Sequence, residues 1–184
     1  MAQHPTTAVG ARLRRFAGGA AAALMFTAGC APKGSTTPSQ TAMQLYAMLD
    51  ALGVRGVPDE DALRALRPFL TDSLADALAH ADAERRVAVQ EAPDDKPPFA
   101  DGDPFSSLFE GRTEARPDTV VMRGDTALVV MAFSNKTQRP AVNWRDTIVV
   151  TPFNGRLVVA DIRYGAGWEF GFTGRLLEVL YSVP

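Results

Sequence analysis

The sequence contains few of the residues from which metal sites and catalytic triads are built. Its 184 residues include one cysteine, Cys30, and two histidines, of which only His80 follows that cysteine. A chain with one cysteine forms no internal disulfide, and a single histidine leaves too few ligands for zinc. Ser106 and Ser107 lie outside any G-x-S-x-G context. We therefore expect no metal, no cofactor and no hydrolase triad.

A surplus of basic residues and a second long apolar run are also absent after Cys30. Residues 1–29 carry three arginines and no acidic residue, so their removal takes the formal net charge from -2 to -5. Nucleic-acid binding depends on clustered lysines and arginines, so the remaining acidic chain is not expected to bind nucleic acid. No later segment is apolar over the length that a transmembrane helix needs.

The first thirty residues are arranged as an export signal. Arg12, Arg14 and Arg15 form a positive patch, residues 16–26 form an apolar run, and small residues follow in Thr27-Ala28-Gly29-Cys30. This order of positive, apolar and small zones is typical of a secretory signal, and the run is too short for a permanent membrane span. Export by either the general or the twin-arginine route fits the pattern.

The segment that ends at Cys30 resembles a bacterial lipobox, although Thr27 stands where that pattern usually has leucine. The resemblance implies cleavage between Gly29 and Cys30, diacylation of the cysteine thiol, and, because Ala31 follows, attachment to the inner leaflet of the outer membrane. An ordinary signal peptide, cleaved nearby with Cys30 as a bystander, is the alternative. We predict a signal peptide over residues 1–29, a lipidated flexible tether over 30–41 and one folded domain over 42–184.

The first half of the domain has helical periodicity. One face of a first helix collects the apolar residues Ala42, Leu45, Leu49 and Leu52. Gly53 is placed to end this helix, and Pro58–Asp61 predicts the start of a second one. Pro68 interrupts that helix, and Thr71 offers the cap of a longer third helix.

The second half of the domain has strand patterns. Two hairpins are predicted, one across Gly124-Asp125 and one across Asn154-Gly155. Residues 127–133 and 157–162 are apolar at consecutive positions, so both faces of the sheet should be covered. Helices would cover one face, and a further element, a partner or a ligand would cover the other. A short closing helix is expected over 174–181.

Helices followed by an antiparallel meander predict an α+β domain. Three segments, 99–105 (FADGDPF), 159–162 (VADI) and 164–177, resemble an uncharacterised bacterial family of secreted proteins and lipoproteins, domain of unknown function 3828. The resemblance implies a nuclear-transport-factor-like (cystatin-like) cone, with N-terminal helices packed on a curved antiparallel sheet and a short C-terminal helix. It implies no catalytic residues, because none are established for that family.

Asp161 is the candidate for acid–base chemistry. By period-2 alternation it shares a face with Leu157 and Val159, and Arg163 follows on the same face with Tyr164 beside it. An apolar cavity in a cone fold would keep such a carboxyl neutral and suited to proton transfer. The alternative is an Asp–Arg pair that fixes this strand to the final helix.

Aromatic residues in glycine-rich surroundings are candidates for a binding surface. They are Trp144, Trp168, Phe170 and Phe172, and the same residues fit a core position equally well.

The functional prediction is an envelope lipoprotein whose periplasmic domain binds a protein partner, as an immunity protein does, or a small apolar ligand, without catalysis. Self-association through the second apolar sheet face is a further prediction. The alternative is an isomerase or hydrolase that uses Asp161 in the cone cavity.

Overall fold

A computed structural model describes residues 36–182 and confirms the α+β class. Three helices precede a four-stranded antiparallel sheet with strand order β1-β2-β3-β4, and a short helix follows. The elements are α1 (Pro38–Ala51), α2 (Glu60–Leu66), α3 (Asp72–Glu91), β1 (Glu114–Arg123), β2 (Thr126–Asn135), β3 (Val142–Phe153), β4 (Arg156–Arg163) and α4 (Leu176–Tyr181). Within residues 36–182, no helix has both the length and the apolar character that a bilayer crossing requires.

Local capping explains where the first three helices begin. The side chain of Thr71 accepts a hydrogen bond from a backbone N–H group at the start of α3, as predicted, and Asp59 caps α2 in the same way. Thr37 and Gln40 form a reciprocal capping box, so α1 begins at Pro38, inside the segment predicted as a tether. Leu52 is 40% exposed because α1 ends before it, so it does not continue the buried face formed by Ala42, Leu45 and Leu49.

Both predicted hairpin turns are confirmed. Asn154 and Gly155 have φ values of 48° and 77°, the left-handed pair that a two-residue turn between β3 and β4 requires. Gly124, at φ 63°, opens the turn between β1 and β2. The strands β1 and β3 are ten and twelve residues long, because cross-strand pairing continues beyond the apolar stretches.

The core lies between the helices and one face of the sheet, which we call the inner face. The residues Ala127, Val129, Met131, Phe133, Ile148 and Val150 supply this face and pack against α1 and α3. Tyr46, Phe105, Met131 and Ile148 are each at most 1% exposed and are among the largest fully buried side chains of the described residues. Every residue of this core lies between Ala42 and Leu180.

A bulge in β4 changes the face on which Asp161 lies. Val159 pairs with Val150, whereas Asp161 pairs with Val149, so one extra residue, Ala160, separates the two pairs. Neighbouring residues of β3 point to opposite faces, so Asp161 belongs to the face opposite that of Val159. The predicted sharing of a face by Asp161, Leu157 and Val159 is therefore wrong.

Candidate functional site

The carboxylate of Asp161 is engaged in holding α4 against β4. Its Oδ1 accepts hydrogen bonds from the backbone N–H groups of Ile162 at 2.9 Å and Leu177 at 3.2 Å. Its Oδ2 lies 3.4 Å from Nε of Arg175. Burial raises the pKa of Asp161, while the two backbone hydrogen bonds and Arg175 act in the opposite direction. The geometry is that of the predicted Asp–Arg pair, with Arg175 as the partner, while Arg163 is exposed and pairs across the sheet with Thr147.

We expect Asp161→Ala to lower the free energy of unfolding by about 1–2 kcal/mol, because the N-terminus of α4 loses its acceptor. Asp161→Asn keeps an acceptor oxygen and should retain most of that stability. Because the pKa of Asp161 is raised on folding, its titration makes part of the stability depend on pH. This part is present below the unfolded-state pKa and is lost as the pH rises through the folded-state pKa. Urea unfolding across the acidic range should show this pH dependence weakened in Asp161→Asn, and an unchanged profile would contradict the assignment.

Most of the aromatic residues predicted as a binding surface lie inside the fold. Trp144 is 6% exposed, and its ring lies edge-on to Trp168 with centroids 6.5 Å apart. Tyr164 donates a hydrogen bond from its hydroxyl to the carbonyl of Pro104 at 2.6 Å, and burial raises its pKa. Phe170 is 81% exposed and lies apart from this packing. Trp144 and Tyr164 therefore connect β3 and β4 to the loop before β1, Trp168 is half-buried, and Phe170 is the most exposed of these aromatic residues.

A buried carboxylate that sequence reasoning missed organises this region. Asp146 is 1% exposed on the inner face of β3. Its Oδ2 accepts hydrogen bonds from the backbone N–H of Ser107 at 2.8 Å and from Nε1 of Trp144 at 3.1 Å, and its Oδ1 accepts one from the N–H of Gly165 at 2.8 Å. The sequence signal for this burial was the period-2 alternation of Trp144, Asp146 and Ile148, which places Asp146 on the same face of β3 as two apolar residues. The bonds from Ser107 and Gly165 join β3 to two other segments, so Asp146 has a structural role.

A second buried polar cluster fixes the segment before β1 to α1. The guanidinium of Arg112 donates to Oδ2 of Asp103 at 3.2 Å and to Oδ1 of Asp50 at 2.8 Å. Its central carbon lies 4.4 Å from the centroid of the Tyr46 ring. Burial raises the pKa of Asp103, and the charge of Arg112 acts against that rise. These partners satisfy the buried charges and leave them closed to a ligand.

The opposite side of the sheet, which we call the outer face, carries apolar residues that do not belong to the core. Leu128 and Val130 on β2 and Val149 on β3 are half-buried, and Val121 on β1 is 37% exposed. None of the four is among the residues that pack against the helices. Cross-strand pairing places Val121, Leu128 and Val149 in one row, with Val130 next to it. The outer face therefore has an apolar centre, in agreement with the predicted second apolar face.

Positive charge surrounds this apolar centre. Residues 36–113 contain seven Lys or Arg and fourteen Asp or Glu, whereas residues 114–182 contain eight and seven. By register, the outer face carries five arginines, Arg116, Arg123, Arg145, Arg156 and Arg163, and two acidic residues, Glu114 and Asp161. Arginines thus outnumber carboxylates in this register, which makes the outer face locally cationic in an otherwise acidic chain.

A groove of about 480 Å³ lies at one end of the outer face, across β1, β2 and β3. Its lining includes Arg116, Ala132 and Arg145, which the strand register places side by side. Lys136 and Glu114 form an ion pair at its rim, and Nε of Arg145 donates to Oδ2 of Asp118 at 2.7 Å. Arg116 has no ion partner among residues 36–182.

No family model, no curated protein and no solved structure matches this chain. Among residues 36–182, no three His, Cys, Asp or Glu side chains come together as metal ligands. The outer face, with its apolar centre, groove and arginines, is the arrangement in this part of the chain best suited to binding.

Proposed function

We propose that this protein is a lipid-anchored component of the bacterial cell envelope whose domain binds a partner through the outer face of its sheet and catalyses no reaction. The observation that carries the proposal is the row Val121, Leu128 and Val149, an apolar surface that the helices leave uncovered. Apolar surface of this kind, rimmed by polar residues, marks interaction sites in soluble domains.

The sequence before α1 supports attachment to a membrane. Cys30 lies outside the described residues, and its lipidation is inferred from the positive, apolar and small zones that precede it. Seven residues separate Cys30 from Pro38, where α1 begins. A chain of that length spans at most about 25 Å, so lipid on Cys30 would keep the domain close to the headgroups.

The geometry favours binding over the alternative of an isomerase or hydrolase at Asp161. Both oxygens of that carboxylate have protein partners at the junction of β4 and α4. A general base needs a free position within hydrogen-bond reach of its substrate. Moreover, Tyr46 and Phe105 are buried in the core. A nuclear-transport-factor-like identity for the fold stays a prediction.

Site-specific photo-crosslinking in cells tests the proposed binding surface. A benzoylphenylalanine at Val121 on the outer face should give one defined crosslinked product, whether protein or lipid. The matched control is the same residue at Val87, which is 46% exposed on α3. Equal products from both positions, or none from Val121, would contradict the assignment of the outer face.

A further inference from the structure

The groove on the outer face brings two guanidinium groups to either side of a small residue. Arg116 on β1 pairs across the sheet with Ala132 on β2, and Ala132 pairs in turn with Arg145 on β3. Two strand spacings separate the arginines, which places their backbones about 10 Å apart. Because only a methyl group stands between them, both side chains reach the space above Ala132. Arginine is the residue best matched to phosphate oxygens.

An apolar strip begins directly beside this arginine pair. Along the outer face of β2, Ala132 is followed by Val130 and Leu128, which extend about 13 Å from the groove. Val149 lies next to Leu128 on β3 and widens the strip. A ligand seated between the arginines would therefore continue over apolar surface in one direction.

We propose that the outer face binds an anionic phospholipid, with its phosphate between Arg116 and Arg145 and an acyl chain along Val130 and Leu128. This inference rests on the proposed function, because it names the partner of the same surface. Two acidic residues already pair with cations there, Asp118 with Arg145 and Glu114 with Lys136. Arg116 has no ion partner among the described residues, so it supplies the charge that a phosphate would neutralise.

A ligand that lacks either the net negative charge or the acyl chain fits the surface less well. A free phosphate would use the arginine pair and leave the strip beside it exposed to water. A zwitterionic lipid would cover the strip, but its own cationic group would meet the arginines. Lipid on Cys30 would also hold the domain near a membrane surface, where phospholipid is abundant. An anionic lipid uses the charge and the strip together.

Native mass spectrometry of the full chain in a neutral detergent tests the proposal. The chain is mixed with dihexanoyl phosphatidylglycerol, with dihexanoyl phosphatidylcholine or with inorganic phosphate. We expect phosphatidylglycerol to bind about tenfold more tightly than either of the others, as a single adduct. Equal binding of the two lipids would overturn the recognition of charge. Phosphate binding as tight as that of phosphatidylglycerol would overturn the lipid assignment, and no adduct at all would overturn the site.

Two exposed arginines provide the matched variants. Arg116→Gln should reduce phosphatidylglycerol binding about tenfold, toward the level of phosphatidylcholine. Arg64→Gln removes an exposed charge from α2, away from the sheet, and should leave binding unchanged. Equal losses in the two variants would point to net charge alone and contradict the groove. A protein crosslinked from Val121 without any lipid adduct would leave the proposed function standing while this inference fails.

Discussion

Replacing Asp146 with alanine is expected to lower the free energy of unfolding by about 3–5 kcal/mol. The substitution leaves three donors without their acceptor, the N–H groups of Ser107 and Gly165 and Nε1 of Trp144. The buried N–H of Ser107 and Nε1 of Trp144 each cost roughly 1–3 kcal/mol when they lose their partner, because water does not reach them in the folded protein, and the part-buried N–H of Gly165 adds less. A loss of this size is a large fraction of the stability of a small domain.

The expected loss is large because Asp146 joins three separate parts of the chain. Ser107 belongs to the segment before β1, and Gly165 follows β4. A Cβ at position 165 would lie 2.2 Å from the carbonyl oxygen of Arg145, so Gly165 allows the close approach that this hydrogen bond needs. Asp118→Ala is the matched control. It removes an exposed carboxylate that pairs with Arg145, the residue next to Asp146 in the chain. If urea unfolding gave both variants the same midpoint, the role of Asp146 would be contradicted.

Replacing Cys30 with serine is expected to move the protein almost completely from the membrane fraction to the soluble fraction. Serine retains the size of the side chain but offers no thiol for acylation. Two acyl chains hold a protein on a bilayer stably, at about 0.8 kcal/mol for each buried CH₂ group, whereas a single chain gives marginal attachment. No helix among residues 36–182 supplies another span.

Thr27→Leu is the matched control for this experiment, because it brings the segment closer to the lipobox pattern and leaves Cys30 in place. It should keep the protein on the membrane. Fractionation of the two variants beside the unaltered chain gives the comparison. Membrane retention of Cys30→Ser at the level of Thr27→Leu would contradict the lipid anchor.

Local sequence signals predicted the parts of the fold that depend on local interactions. The cap at Thr71 and the Asn154-Gly155 turn each satisfy backbone groups within a few residues, so the sequence shows them directly. The antiparallel sheet and the second apolar face followed from the apolar stretches of β2 and β4. The bulge at Ala160 did not, because it depends on how β4 aligns with β3. The extra residue, Ala160, places Asp161 on the face of the sheet opposite to the predicted one.

The candidate site was less predictable because it depends on pairing between distant segments. Arg116, Ala132 and Arg145 are neighbours only once the register of three strands is fixed. The bond between Arg112 and Asp50 likewise joins a segment without regular structure to α1. Trp144 and Trp168 were recognised as important aromatics, but their sequence gave no indication that the Asp146 carboxylate would hold Trp144 inside the fold.

The mass of the mature N-terminal peptide tests most directly whether this protein is a lipid-anchored binding domain. Protein extracted from membranes should begin at Cys30 and carry the added mass of a diacylglyceryl group on its thiol. An N-terminus at another residue, or an unmodified Cys30, would contradict the anchor and remove the reason for placing the outer face beside a membrane.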